Sequence, residues 1–361
     1  MTKFACFAKA AVLTSTGKPL EIVELEVPPL SRGQVLVKIL YSGVCRSQVM
    51  EVSGARGQDP WLPHLLGHEG SGVVVSVGVD VNKVKPGDEV ILSWIKGDGH
   101  DVSGAKYDVE DQVINSGAVT TFSNYSVVSE NRVFLKPESL PFDQAALFGC
   151  ALPTGAGMAM NEINISSNVS VVVLGLGGIG LSALMALKSL GVKNIIAADI
   201  SDEKLKTAGE IGANHLVNTN RTDLKEFVCE VTEGIGAEYC IESAGASKTI
   251  ELGFSVIRKK EGKLLFASHP PEGDMIRLSP HELISGKNIS GSWGGGSKLD
   301  VDIPRMHDLF RSAGITLNFL ITKRYRLTEI NEALSDLERG HVYRPIIVMD
   351  HSDDDFINIV D

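Results

Sequence analysis

Cysteine is scarce in this chain: five in 361 residues, at positions 6, 45, 150, 229 and 240. So sparse, odd and widely spaced a set excludes a disulfide framework, and no C-x-x-C pair announces a metal by spacing. Positive charge is in the minority, with 34 Lys plus Arg against 45 Asp plus Glu and a net charge of −11. A phosphate backbone is a poor partner for such a surface, so nucleic acid is not the expected ligand. One uncharged run, 163–187, is long enough to cross a bilayer, but Asn164, Ser166, Ser167, Asn168 and its glycines interrupt it. Its character also changes from Val-rich to Leu/Ala/Met-rich, which predicts a strand handing over to a helix and no membrane span. The first residues, Met1-Thr2-Lys3-Phe4-Ala5-Cys6, lack a long apolar stretch followed by a cleavage site, so a cytoplasmic protein is expected.

The chain does have enough apolar residues, 43%, to bury a large core, and its length favours two domains over one. The most informative stretch is Gly175-Leu176-Gly177-Gly178-Ile179-Gly180, between a β-branched run at 169–174 and a helix-suited run at 181–190. In a strand, phosphate loop and helix of this kind, Gly175 permits the tight turn and Gly177 lets backbone approach a pyrophosphate. Gly180 lets helix and strand pack closely, leaving the unpaired N–H groups of the helix start aimed at the anion. A second buried strand, 194–198, closes on Asp199, at the distance where an acid meets the adenosine ribose hydroxyls. No arginine follows to hold a 2′-phosphate, so NAD is expected rather than NADP.

Either side of this segment the pattern changes. Residues 3–40 alternate apolar and polar positions in short strands, an all-β opening that delivers Cys45-Arg46-Ser47 at a glycine turn. Gly67-His68-Glu69-Gly70 then leads into another β-rich segment, and 93–126 is polar, glycine-bearing and loop-like, without cysteine. Cys150 comes just before the dinucleotide-binding pattern, whose alternating strands and helices continue to about 290. Past a Gly294-Gly295-Gly296 linker, helices are expected at 303–313 and 327–340, the latter capped by Thr328, and a last strand at 345–349. The expected organisation is a β-rich domain in two parts, 1–150 and 292–349, around a parallel-sheet domain, 151–291, with a disordered acidic tail at 350–361. Cys6, Cys229 and Cys240 read as packing residues.

With these motifs in order, the chain from residue 10 to about 349 resembles the zinc-dependent medium-chain alcohol dehydrogenases. The resemblance rests on Cys45-Arg46-Ser47, Gly67-His68-Glu69-x-x-Gly72-x5-Gly78, Gly149-Cys150-x3-Thr154-Gly155, the 175–180 loop, Asp199 and Gly340-x3-Arg344. It implies an α/β protein, with a doubly wound Rossmann coenzyme domain and a GroES-like catalytic domain. It also implies one catalytic zinc on Cys45, His68 and Cys150. Two thiolates and an imidazole leave a tetrahedral zinc one open position, and such a metal lowers the pKa of a bound alcohol so that hydride can leave for NAD. By the same resemblance Glu69 tunes the ligand shell. Ser47 takes the alcohol proton, Arg46 and Arg344 meet the pyrophosphate, Lys204 lies by the adenosine ribose, and Thr154 and Ile179 press on the nicotinamide ring. The expected partners are an alcohol and its aldehyde or ketone, and further copies of the chain in a homodimer or homotetramer joined through the nucleotide-binding domains.

Two departures stand out. Many relatives carry a structural zinc on four clustered cysteines, and 93–126 has none, so no structural zinc is expected. In a familiar branch an Asp and a proton-relaying His follow the Cys-x-Ser/Thr motif, where this chain has Gln48 and Met50. The proton must then leave through water or another group such as His64, and the partner of a zinc ligand loses its charge at Gln48. A polyol, sugar or amino-alcohol dehydrogenase keeps the same mechanism with another pocket. A non-catalytic nucleotide-binding protein would have no reason to keep Cys45, His68, Cys150 and Ser47.

Overall fold

A computed structural model of the chain describes residues 7–109 and 112–352. Cys6 and the greater part of the acidic tail, 353–361, lie outside the described residues, so the expectations for them are not addressed. Two compact units emerge. One gathers the described residues of 1–150, 298–301 and 317–361, the other 151–297 and 302–316. The chain therefore re-enters the first unit later than its glycine linker suggests, since 292–297 and most of the following helix cluster with the second unit.

The first unit begins with β1 (Phe7–Leu13), β2 (Glu21–Glu26), β3 (Gln34–Gly43), helix α1 (Arg46–Ser53), β4 (His64–Leu65), β5 (Glu69–Val77) and β6 (Glu89–Ser93). It continues through β7 (Lys106–Val109), β8 (Gln112–Asn115), β9 (Tyr125–Ser129), β10 (Val133–Leu135) and the short helix α2 (Phe142–Ala145). One sheet runs β2-β1-β4-β8-β7. The stretch expected to be loop thus carries a hairpin: β7 and β8 pair antiparallel, Tyr107 with Ile114 and Asp108 with Val113, and Tyr107 and Ile114 are buried. Strands of four residues show barely two periods of alternation, too few to stand out in a polar stretch.

The second unit opens on α3 (Ala151–Gly157), then β11 (Ser170–Leu174), α4 (Gly178–Ser189), β12 (Asn194–Asp199), α5 (Asp202–Ile211), β13 (His215–Asn218) and α6 (Leu224–Val231). It goes on with β14 (Tyr239–Glu242), α7 (Ser247–Val256), β15 (Lys263–Phe266), α8 (Pro280–Ile284) and β16 (Asn288–Gly291). All neighbours in the sheet pair parallel, in the order β13-β12-β11-β14-β15-β16. Relabelled from β11 this is 3-2-1-4-5-6, the doubly wound Rossmann order, whose ligand crevice lies beyond the carboxyl ends of the two central strands. All five residues of β11 are buried, as are Gly180 to Leu187 of α4. A strand covered on both faces and a helix covered nearly all round need apolar residues at almost every position, which explains the long uncharged run. None of the described helices is long and apolar enough to cross a membrane. Cys240 is buried in the core with Phe254 and Leu264, as a packing residue should be, whereas Cys229 is exposed on α6 and packs nothing.

The chain closes with α9 (Leu299–Ser312), β17 (Arg324–Arg326), α10 (Ile330–Glu338) and β18 (Ile346–Val348). Thr328 does not cap α10; it sits in a 3-10 turn at Leu327–Glu329, where Glu329 accepts from the Arg326 N–H at 2.7 Å. β18 pairs antiparallel with β3, completing a seven-stranded sheet that also holds β5, β6, β9, β10 and β17. Its core joins Val37 and Ile39 of β3 to Tyr325, Ile330 and Ile347 from the end of the chain.

Candidate functional site

The sheet of the first unit brings three distant segments together. Cys45 follows β3, His68 comes just before β5 and Glu69 opens it, and Cys150 ends a 3-10 turn at Ala146–Gly149. The ligand atoms of Cys45, His68, Glu69 and Cys150 all lie within 4.8 Å of one another. Glycine makes this convergence possible. A Cβ on Gly43 would come within 2.7 Å of Glu69 Cδ, and one on Gly149 within 2.3 Å of the Leu92 carbonyl and 2.6 Å of Glu69 Cβ. Any side chain at either position would push Glu69, and the cysteine beside it, out of the cluster.

The donor set suits a thiophilic cation. His68 Nε2 is buried with no hydrogen-bond partner, and so is Glu69 Oε2. The two sulfurs are 3.9 Å apart, unbonded, with Cys150 placed to donate to Cys45. That hydrogen bond pulls the Cys45 thiol well below its ordinary range against the cost of burial, and pushes Cys150 well above. A dication held by the pair would draw protons from both thiols. Burial resists protonation of His68, but the neighbouring Cys45 thiolate and Glu69 outweigh it and raise its pKa. A Cys₂His set with a carboxylate alongside fits zinc in its thiolate and imidazole preference.

Arg344, placed just before β18, stands against Glu69. Its guanidinium donates to Glu69 Oε1, and the two side chains are 5% and 0% exposed. Burial pushes the Glu69 carboxyl up and Arg344 opposes this, while Arg344 is held cationic by Glu69 and the cysteines against its own burial. The contact is direct, so the pair is read as charged. Arg344 was expected on a pyrophosphate; in this structure its Nη2 donates to Glu69.

Helix α1 supplies the rest. Arg46, its first residue, is exposed, and the Ser47 hydroxyl is buried with no hydrogen-bond partner, available to a ligand. Gln48 was noticed only as a departure, yet it bridges two site groups. Its Oε1 accepts from the Cys45 N–H at 2.7 Å, the returning half of a capping box, and its Nε2 lies 2.6 Å from His68 Nδ1. His64 is not in this cluster. It groups with Glu51 and Asp59, its Nε2 2.8 Å from Asp59 and its Nδ1 2.9 Å from the Leu65 carbonyl, with Arg56 3.6 Å from Glu51. Both ring nitrogens are engaged, so these residues form an ion-paired network.

In the second unit the glycines of the loop have different surroundings. Gly175 has φ +89°, and a Cβ there would strike Ala244; one on Gly180 would lie 1.9 Å from the Gly175 carbonyl. Around Gly177, by contrast, no protein atom lies within 4 Å of an added Cβ. The fold does not require glycine there, so the space is free for something outside the chain. Gly178 and Ile179 open α4. Asp199 is buried, accepting from the Leu176 N–H at 2.7 Å and the Ser201 N–H at 2.9 Å. Lys204 sits in the first turn of α5, capped by Ser201, and Thr154 is buried on α3. The sequence reading missed Glu242 at the end of β14. Its Oε1 accepts from Ala244 N and Gly245 N, each at 2.9 Å, and from the Thr249 hydroxyl at 2.7 Å, and burial pushes its carboxyl up. An acid closing an otherwise apolar strand just before Ser243-Ala244-Gly245 was the available signal.

Comparisons with known proteins agree with both halves of this geometry. The Alcohol dehydrogenase GroES-like domain family matches residues 31–138, and the Zinc-binding dehydrogenase family matches 178–312. An alcohol dehydrogenase class-3 from Cereibacter sphaeroides is 30% identical, over 94% of this chain and 99% of its own length. The benzyl alcohol dehydrogenase of Acinetobacter calcoaceticus superposes with a TM-score of 0.87 at 28% identity, covering 96% of this chain and all of that one. An alcohol dehydrogenase zinc-binding domain protein from Burkholderia ambifaria does so with a TM-score of 0.87 at 27% identity and the same coverage. Ligand cluster, Rossmann sheet and these likenesses together place the chain in the family of zinc-type medium-chain alcohol dehydrogenases.

Proposed function

We propose that this oxidoreductase transfers hydride between a primary or secondary alcohol and NAD, giving an aldehyde or ketone, with one zinc per chain. The observation that carries the proposal is the convergence of Cys45, His68 and Cys150 with His68 Nε2 left unpartnered. A cation held by those three residues supplies Lewis-acid polarisation of the substrate oxygen. Ser47, whose buried hydroxyl can both receive and donate, takes the alcohol proton. By the family resemblance Arg46 would meet the pyrophosphate, as would the start of α4, where Gly177 leaves open space. Asp199 and Lys204 select the adenosine ribose, with Asp199 repelling a 2′-phosphate, while Thr154 and Ile179 bear on the nicotinamide ring. Glu69 stands beside the cation with Arg344 balancing its charge. The same reading includes a homodimer or homotetramer joined through the nucleotide-binding domains.

The likeness to a benzyl alcohol dehydrogenase makes benzyl alcohol the first substrate to try. The test is metal analysis after dialysis together with NADH formation on benzyl alcohol, short primary and secondary alcohols and polyols, each with NAD and NADP. One zinc per chain and NAD reduction by a simple alcohol are expected. Activity confined to polyols would select the alternative substrate class. Absence of zinc, with no cofactor reduced by any alcohol, would overturn the proposal.

A further inference from the structure

Resting on the zinc reading above, we propose that Gln48 is a positioning residue. It locks His68, in the metal-free protein, into the tautomer that cannot bind a metal through Nε2, so zinc capture requires the Gln48 amide to turn over. The argument starts from a group that has no choice. The Cys45 backbone N–H can only donate, and Gln48 Oε1 receives it at 2.7 Å. The other end of the same amide, the NH₂ group, therefore faces His68 Nδ1 at 2.6 Å, and an NH₂ can only donate. His68 Nδ1 must accept, which places the proton of a neutral ring on Nε2. That is the nitrogen aimed among the cysteines, where it has no hydrogen-bond partner.

A cation on Nε2 needs the opposite tautomer, with the proton on Nδ1 and a hydrogen-bond acceptor facing it. Gln48 can provide that acceptor only by exchanging its oxygen and nitrogen, which turns NH₂ towards the Cys45 N–H and gives up the capping contact. Gln48 is 1% exposed, so no water stands by to replace the lost partner. One amide cannot satisfy the helix cap and the metal-bound imidazole together. A glutamate in the same place could: it has the same length and two accepting oxygens, and it is a preferred residue at this position of a capping box. Gln48 thus sets a conflict between the start of α1 and the metal ligand, and weakens zinc binding.

Two measurements test this. In metal-free protein labelled with ¹⁵N-histidine, the ring signals lost in His68→Gln belong to His68. Their long-range proton correlations are expected to show Nδ1 unprotonated and Nε2 protonated. A neutral ring with Nδ1 protonated and Nε2 unprotonated in the metal-free wild type would overturn the proposal, and this readout does not depend on any added charge. Second, wild type and Gln48→Glu are equilibrated in zinc buffered by nitrilotriacetate and their zinc content is measured. The variant is expected to fill at a free zinc concentration lower by about 10- to 100-fold, the usual size of such outer contacts. Equal or weaker zinc retention in a variant with wild-type circular dichroism would overturn it too. A wild type that takes up no zinc at any concentration would instead overturn the functional reading on which the proposal rests.

Discussion

Replacing Arg344 by Met probes the buried pair at the centre of the ligand cluster. Glu69 is wholly buried and Arg344 nearly so, and the guanidinium donates directly to Glu69 Oε1. Removing one partner of such a pair typically costs about 3–5 kcal/mol, because the other charge stays buried and uncompensated. The carboxyl has an escape, which is to take a proton. From its ordinary value of 4.5, protonation at pH 7 costs about 3.4 kcal/mol, at about 1.36 kcal/mol per unit, so the loss saturates near that figure plus about one hydrogen bond. The sign with pH follows. Burial raises the Glu69 carboxyl in the folded state, so in Arg344→Met the folded protein holds a proton that the unfolded chain has released. Stability then falls as pH rises above about 4.5, by roughly 1.4 kcal/mol per unit, until the folded carboxyl itself ionises. Urea unfolding of metal-free proteins at pH 5, 6, 7 and 8 should show a gap to wild type that is about 1–2 kcal/mol at pH 5 and about 3–5 at pH 7. In the Glu69→Gln/Arg344→Met double variant the slope should vanish and much of the loss return. A pH-independent gap below about 1 kcal/mol, or additive single and double effects, would refute the buried-pair account.

Ser47→Ala should lower turnover by roughly two to four orders of magnitude, the usual range of acid–base terms, leaving zinc content and NAD affinity nearly unchanged; near-normal turnover with a full isotope effect from deuterated alcohol would mean that the proton leaves elsewhere. Asp199→Gly should shift the NAD/NADP ratio of kcat/KM towards NADP, and an unaltered ratio would remove Asp199 from cofactor choice. Glu130, despite the cost of burial, is held at a pKa of about 2 by the His100, Asn82 and Lys83 N–H groups and the His100 ring. Its folded value is depressed, so its stabilisation is complete above the ordinary 4.5 and disappears as pH falls towards 2. The difference is worth at most about 3.4 kcal/mol. Glu130→Gln should therefore lower the thermal midpoint at pH 7, with the gap to wild type narrowing below pH 4.5; a constant gap would contradict this.

What was legible in the sequence was whatever a fixed spacing or a long pattern carries. The Gly175 to Gly180 loop, the buried strand before it and Asp199 after it fall within one short span, and Gly175 and Gly180 each meet a local steric demand that the motif spells out. Cys45, His68 and Cys150 lie more than 100 residues apart at the extremes, and no physics of spacing joins them; only their resemblance to a family motif did. The hydrogen-bond partners were largely illegible. Gln48 meeting His68 from 20 residues away, and Arg344 meeting Glu69 from 275, depend on how β3, β5 and β18 register in one sheet. The β7–β8 hairpin was missed because its strands are short. Thr328 misled because a 3-10 turn absorbed the residue that a helix start would have used.

The stretch without cysteines raises a physical question of its own, namely what fastens 93–126 if no four-thiolate metal does. Part of the answer lies just beyond it, in one side chain. Glu130 Oε1 accepts from the Asn82 N–H at 2.6 Å and the Lys83 N–H at 2.9 Å, and Oε2 from the His100 N–H at 2.8 Å and His100 Nδ1 at 2.6 Å. The His100 carbonyl is taken in turn by the Asn131 N–H at 3.1 Å and the Ser129 hydroxyl at 2.8 Å. A buried carboxylate that accepts four hydrogen bonds from two loops crosslinks them much as a metal would, at sites fixed by the backbone rather than by thiols. It follows that this lobe should be insensitive to chelators and oxidants, while the Cys45, His68 and Cys150 cluster should respond to both. A chelator is therefore expected to leave amide exchange at Asn82, Lys83 and His100 unchanged.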